Sequence, residues 1–146
     1  MRNYIIVFIF LFSLNSVNGQ KDIDLKKLVG FACFSDGSKS EIVIKFTKLI
    51  QKSKYGSIIE QLDSKNVAKK YLAVIVSERL ANDGKVKLNE VDKSKIDKIK
   101  NSEEEVQVCS GCLYFEKIPI KQLFVESKDN YMKIYAEDWL ERQFKK

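Results

Sequence analysis

The chain has 146 residues, a formal net charge of +6, three cysteines and no histidine. Without histidine it can build neither a Ser-His-Asp triad nor a His-ligated zinc site, and three cysteines cannot complete a four-sulfur metal site. Acidic and basic residues are interleaved, so the basic balance is typical of a solvated lysine-rich surface rather than of a nucleic-acid interface. The sequence therefore predicts no metal, no cofactor and no nucleic-acid partner.

The first 19 residues have the order of a secretory signal peptide. Arg2 precedes an apolar run over 4–12, and a small-residue stretch ends at Gly19. The run is shorter than the ~20 residues of a transmembrane helix, although an uncleaved membrane anchor is the alternative. We expect cleavage near Gly19, export to the periplasm or medium, and no stable membrane insertion afterwards. Residues 20–146 then form a single mature helical domain with a net charge of +5, because cleavage removes Arg2 and no acid.

Apolar spacing predicts three helical segments in the first half of the mature chain. A short helix lies within 22–32 and ends before the turn signal at 35–38. A second helix begins at about Ser40, and a short further stretch covers 58–62. Four residues of the second helix share one apolar face: Ile42, Phe46, Leu49 and Ile50.

The clearest predicted helix runs from Asn66 to Leu80. Its apolar face is formed by Ala68, Tyr71, Leu72, Ile75 and Val76. The β-branched cluster at 74–76 would favour a strand, but the length of the segment and its polar positions favour a helix. Turn residues at 82–84 end it, and a more polar helix follows over 90–100.

The last part of the chain combines an extended segment with a final helix. Residues 104–118 are predicted to be extended or looped, and Pro119 to open a short helix through Leu123. Asp129 or Asn130 caps the final helix, whose stripe holds Met132, Tyr135, Ala136 and Trp139. The predicted fold class is all-α or mainly α, a small bundle of antiparallel helices with a short cysteine-bearing loop or strand near residue 109.

One segment of this bundle resembles a HEAT-type helical repeat. Residues 58–63 match the end of a first helix and its turn, with Asp63 in the turn, and the second helix opens with Ala68 and Lys69 as the aliphatic-basic pair. The resemblance covers about one repeat, residues 58–80. It implies a surface that binds a partner rather than a site that performs a reaction.

The three cysteines are the only residues with intrinsic chemistry that the sequence singles out. Cys109 and Cys112 have the spacing of a local disulfide, a thiol-disulfide exchange site or half of a metal site, and their context favours a structural disulfide. Cys33 is then either a buried free thiol or an alternative partner. A Cys109–Cys112 bridge, which closes a four-residue loop, would raise the free energy of unfolding by ~2 kcal/mol, and a Cys33–Cys109 bridge by ~4.5 kcal/mol. Spacing alone leaves the connectivity open.

The remaining candidate residues have structural explanations. The acidic run at 103–105 is typical of a solvated loop, and Tyr131, Tyr135 and Trp139 at helical spacing are typical of a core stripe. No catalytic residue is nominated. The sequence favours a non-enzymatic exported module that binds another protein or stabilises an envelope assembly, as an immunity protein or an inhibitor would. The alternative is a thiol-disulfide exchange or redox-sensing protein that uses Cys109 and Cys112.

Overall fold

The computed structural model describes residues 23–111 and 114–145, where helices account for 57% of the residues and strands for 13%. The predicted signal peptide lies outside this range. The α-helices are α1 (Glu41–Gln51), α2 (Tyr55–Ile59), α3 (Val67–Asn82), α4 (Glu90–Lys100) and α5 (Tyr131–Phe144). The strands are β1 (Leu28–Val29), β2 (Glu105–Ser110) and β3 (Tyr114–Pro119), and three 3₁₀ helices cover Leu25–Lys27, Glu60–Asp63 and Ile120–Phe124.

A mixed three-stranded sheet in the order β1-β2-β3 makes the all-α prediction wrong. β1 runs parallel to β2, with Leu28 opposite Gln107, and β2 runs antiparallel to β3, from Glu105 opposite Pro119 to Ser110 opposite Tyr114. The segment predicted as a first helix contributes β1. Its apolar spacing resembles that of a helix, but pairing with a distant strand satisfies its backbone and buries Leu28, and this tertiary effect overrides the local pattern.

Three of the helices begin at asparagine caps, of which the one at Asn130 was predicted. The side chain of Asn66 accepts hydrogen bonds from the backbone N–H groups of Ala68 (3.0 Å) and Lys69 (3.3 Å). Asn89 and Asn130 cap α4 and α5 in the same way. Each cap satisfies backbone donors that the first turn of a helix leaves without partners. The predicted helices at 66–80 and 90–100 are thereby confirmed, as is the one that Asn130 opens.

The central helix of the molecule is α3. Its buried residues lie on nearly every side: Ala68, Tyr71, Leu72, Ala73, Val74, Val76, Ser77 and Leu80. A helix whose buried residues lie on most of its sides is surrounded by other elements, so the core forms around α3 rather than against one face of it. No helix in the described part of the chain is long and apolar enough to cross a bilayer.

Trp139 connects α5 to this core. It is fully buried, and its ring centroid lies 5.4 Å from that of Phe31. The indole N–H donates to Oγ1 of Thr47 at 3.0 Å, and the Thr47 hydroxyl donates to the carbonyl of Val43 at 2.9 Å. The indole ring of Trp139 is therefore buried with its only polar group, the N–H, hydrogen-bonded.

Candidate functional site

Cys33 and Cys109 form a disulfide that links the segment after β1 to β2. Their Cα atoms are 5.8 Å apart, and both residues are buried. This is not the Cys109–Cys112 bridge that the sequence favoured, and Cys33 is buried but not free. Cys112 lies outside the described residues. Spacing suggested the wrong pair because the parallel pairing of β1 with β2 brings two residues separated by 76 positions together.

The environment of the bridge is apolar. Leu28 packs against the two sulfurs as part of the same small buried cluster, and Phe115 covers it from β3. Reactive cysteines are partly exposed and lie in electropositive surroundings, whereas buried cysteines are inert. The Cys33–Cys109 bridge therefore has the setting of a structural disulfide.

Gly30 lies directly against this bridge. Its backbone N–H donates to Oγ of Ser40 at 3.1 Å, and its carbonyl accepts from the N–H of Ser40 at 2.9 Å. A β-carbon at this position would collide with the sulfur atoms of both Cys33 and Cys109. The bridge and the start of α1 are thus joined through a residue that has no room for a side chain.

We expect Gly30→Ala to lower the free energy of unfolding by about 3 kcal/mol, because the added methyl group must displace the sulfurs or the backbone. Gly56→Ala is the matched control: Gly56 lies in α2 with open space around its Cα, so alanine should raise stability by about 0.5–1 kcal/mol. Urea unfolding measures both. Equal midpoints for the two variants would show that Gly30 does not pack against the bridge.

A cluster of tyrosines forms the most distinctive exposed surface. Tyr114 on β3 is 53% exposed and Tyr135 on α5 is 39% exposed, while Tyr131 between them is partly buried. Neighbouring ring centroids are 6.2 Å and 6.1 Å apart in edge-to-face contacts. Ile134, one residue from Tyr135, is 52% exposed. We call these four residues together with Glu116 the tyrosine surface.

Glu116 holds two of the three phenols in place. The hydroxyl of Tyr114 donates to its carboxylate at 2.9 Å, and the hydroxyl of Tyr131 donates to the same oxygen at 3.5 Å. Burial, followed by the charge of Glu116, raises the pKa of Tyr131 to about 12, and the hydrogen bond to Glu116 raises the pKa of Tyr114. The hydrogen bonds to Glu116 therefore orient both phenols.

The tyrosine surface continues along an open sheet edge. β3 is the last strand of the sheet, and no backbone group in the described ranges pairs with its outer side. Exposed Lys117, and Pro119 at the end of the strand, oppose uncontrolled pairing with other strands. The tyrosine surface thus lies next to the unpaired backbone groups of the β3 edge.

Sequence reasoning placed Tyr131, Tyr135 and Trp139 in one core stripe. Only Trp139 is fully buried, and Tyr135 is exposed, so this interpretation of Tyr135 was wrong. Tyr114 and Glu116 were not singled out at all. Their i, i+2 spacing would have placed them on one face of a strand, but that signal is readable only once the segment is known to be a strand.

The acidic run at 103–105 is exposed, as predicted. Glu104 pairs with Lys70 at 2.6 Å, and Glu103 pairs with Lys121. Within residues 23–111 and 114–145, no group of three or more cysteine, aspartate or glutamate side chains is arranged to hold a metal ion. Surface ion pairs therefore account for Glu103 and Glu104, and Glu105 begins β2.

Comparisons with protein-family models, with characterised proteins and with solved structures gave no match to this chain. The HEAT-like interpretation of residues 58–80 stays a prediction. Function must accordingly be argued from the geometry of the molecule.

Proposed function

We propose that the protein is an exported, non-enzymatic binding module that recognises a protein partner through the tyrosine surface. The observation that carries the proposal is the cluster of exposed Tyr114 and Tyr135 around partly buried Tyr131. Glu116 orients Tyr114 and Tyr131, and exposed Ile134 lies beside Tyr135. Exposed aromatic rings add little to the stability of the core, so we attribute their presence to binding.

Tyrosine suits protein recognition for a physical reason. Its ring offers a large contact area with few rotatable bonds, and its hydroxyl pairs with polar groups of a partner. Tyrosines are enriched among the residues that contribute most to interface energy. Because Glu116 already orders Tyr114 and Tyr131, less side-chain entropy is lost when a partner binds.

Export forms part of the proposal. The buried Cys33–Cys109 bridge is compatible with an oxidising compartment, where structural disulfides persist. Cleavage after Gly19 predicts that the mature protein begins at Gln20. Mass spectrometry of the exported fraction tests this, and an intact Met1 terminus recovered with the membrane would contradict it.

Replacing both exposed tyrosines tests the recognition surface. We expect Tyr114→Ala with Tyr135→Ala to weaken partner binding by at least about 30-fold, the equivalent of about 2 kcal/mol, because the variant removes two rings from the centre of the contact. Quantitative co-purification from the exported fraction identifies the partner, and calorimetry with the purified partner measures the affinity.

Val91→Ala is the matched control, since Val91 is the most exposed large apolar residue of α4, at 62%, and lies outside the tyrosine surface. It should leave the affinity unchanged. Both proteins should unfold at similar midpoints, so that a loss of binding cannot come from a loss of fold. Unchanged affinity in the double tyrosine variant would assign recognition to another surface.

A further inference from the structure

A cleft lies between α3, α5 and the 3₁₀ helix at Ile120–Phe124, and no residue of the tyrosine surface lines it. Its volume is about 310 Å³, at the lower end of the ~300–1,000 Å³ typical of small-molecule sites. Ile75, Phe124 and Leu140 form apolar walls. The space suits one small molecule that has an apolar part.

Tyr71 borders the cleft from within the core. The residue is 1% exposed, and its ring packs against that of Phe124 with centroids 5.5 Å apart. No hydrogen bond to another residue in the described ranges engages its hydroxyl. Burial, and secondarily the charge of Glu137, raises the pKa of Tyr71 well above its ordinary value, so the phenol remains a hydrogen-bond donor. Because Tyr71 lines the cleft, a donor without a protein partner there is available to an acceptor on a ligand.

Side chains of both charges form the rim. Lys100 pairs with Glu78 at 2.9 Å on one side. On the other side Lys133 pairs with Glu126 and, at 3.7 Å, with Glu137. Glu137 thus shares its ammonium partner with a second carboxylate. The negative charge of Glu137 is therefore only partly balanced by Lys133. The same opening also holds the ammonium groups of Lys100 and Lys133, beside the apolar walls.

We infer that the cleft binds a small zwitterion with an apolar side chain, the chemical class of the free aromatic and aliphatic amino acids. The ammonium of such a ligand complements Glu137, and its carboxylate complements Lys100 and the hydroxyl of Tyr71. Its side chain complements the apolar walls. Arg79 also borders the cleft, and only its Nε contacts Asp83, at 3.1 Å. Like Lys100, which pairs with Glu78, it keeps further N–H donors for a carboxylate.

Titrating the oxidised, purified protein with three related compounds tests the inference. L-phenylalanine carries both charges, phenylacetate only the negative one and phenethylamine only the positive one. We expect saturable binding of phenylalanine by nuclear magnetic resonance titration. Each singly charged analogue should bind at least about tenfold more weakly, because it loses one charge-assisted hydrogen bond.

Two conservative variants link binding to the cleft. Tyr71→Phe keeps the ring and removes the donor, so affinity should fall about 5- to 10-fold. Tyr55→Phe removes a hydroxyl from α2, outside the cleft, and should leave affinity unchanged. Glu137→Gln changes a largely exposed side chain and should abolish the preference for phenylalanine over phenylacetate.

Three results would overturn the inference. The first is the absence of saturable binding across phenylalanine, tyrosine, leucine and methionine at millimolar concentration. The second is equal affinity for phenylalanine and its singly charged analogues. The third is unchanged affinity in both Tyr71→Phe and Glu137→Gln, with circular dichroism midpoints showing that both variants are folded.

Discussion

Removing the Cys33–Cys109 bridge is expected to lower the free energy of unfolding by about 4.5 kcal/mol. The two residues are separated by 76 positions, and the chain-entropy model gives about this value for closing such a loop in the unfolded state. A domain of this size is stable by only about 5–15 kcal/mol, so the loss removes a large part of its stability. Urea unfolding of a Cys33→Ala, Cys109→Ala double variant measures the effect.

Cys112→Ser is the control for the disulfide prediction. It leaves the Cys33–Cys109 bridge intact, so its midpoint should stay close to that of the wild-type protein. Peptide mapping without reduction should recover the peptides containing Cys33 and Cys109 as one linked species. A linked species that joins Cys109 to Cys112 instead, together with a destabilised Cys112→Ser variant, would contradict the bridge.

Trp139→Ala is expected to cost about 3–5 kcal/mol, the usual range for truncating a large buried aromatic residue. The substitution removes the contact with Phe31 and leaves the space of an indole ring in the core. It also removes the hydrogen bond that reaches Thr47 on α1. Thermal and urea unfolding, followed by circular dichroism, measure the loss.

Tyr135→Ala on the same helix provides the comparison. Tyr135 is 39% exposed and contacts Tyr131 at the surface, so its truncation should cost less than about 1 kcal/mol. Trp139→Phe should fall between these variants, because it keeps part of the packing but loses the donor to Thr47. Similar losses for Trp139→Ala and Tyr135→Ala would mean that α5 presents a different face to the core.

Helices were predicted well where local signals agree. The position of α3 followed from its periodicity, its polar positions and the turn at 82–84, despite the β-branched cluster at 74–76, and the structure adds a cap at Asn66. The same holds for α4, which has a cap at Asn89 and the predicted bounds. These signals act within a few residues and can be read from a single sequence.

The sheet could not be predicted in the same way. β1 has only two residues, and it exists because Leu28 and Val29 pair with Gln107 and Val108 from the far end of the chain. No local pattern encodes that pairing. Without it, the extended segment around Cys109 could not be recognised as the middle strand of a sheet, and the fold was assigned to the wrong class.

The candidate sites depended on the same missing information. Cys33 meets Cys109 only because β1 and β2 are neighbours, so spacing along the chain favoured Cys112 instead. Tyr114 meets Tyr131 only because β3 lies beside the start of α5. Sequence identified the cysteines as important but could not predict their pairing, and it gave no signal for the tyrosine surface as a unit.

Site-specific photo-crosslinking tests the central proposal most directly. A photoreactive phenylalanine analogue is introduced at position 135 in the tyrosine surface, and at position 91 on α4 in a parallel sample. Both proteins are exported in the native host and irradiated there. The proposal predicts that position 135 forms a covalent adduct with one protein partner, that Tyr114→Ala diminishes this adduct, and that position 91 forms none with that partner. Equal adducts at both positions, or an adduct at position 91 alone, would contradict recognition through the tyrosine surface.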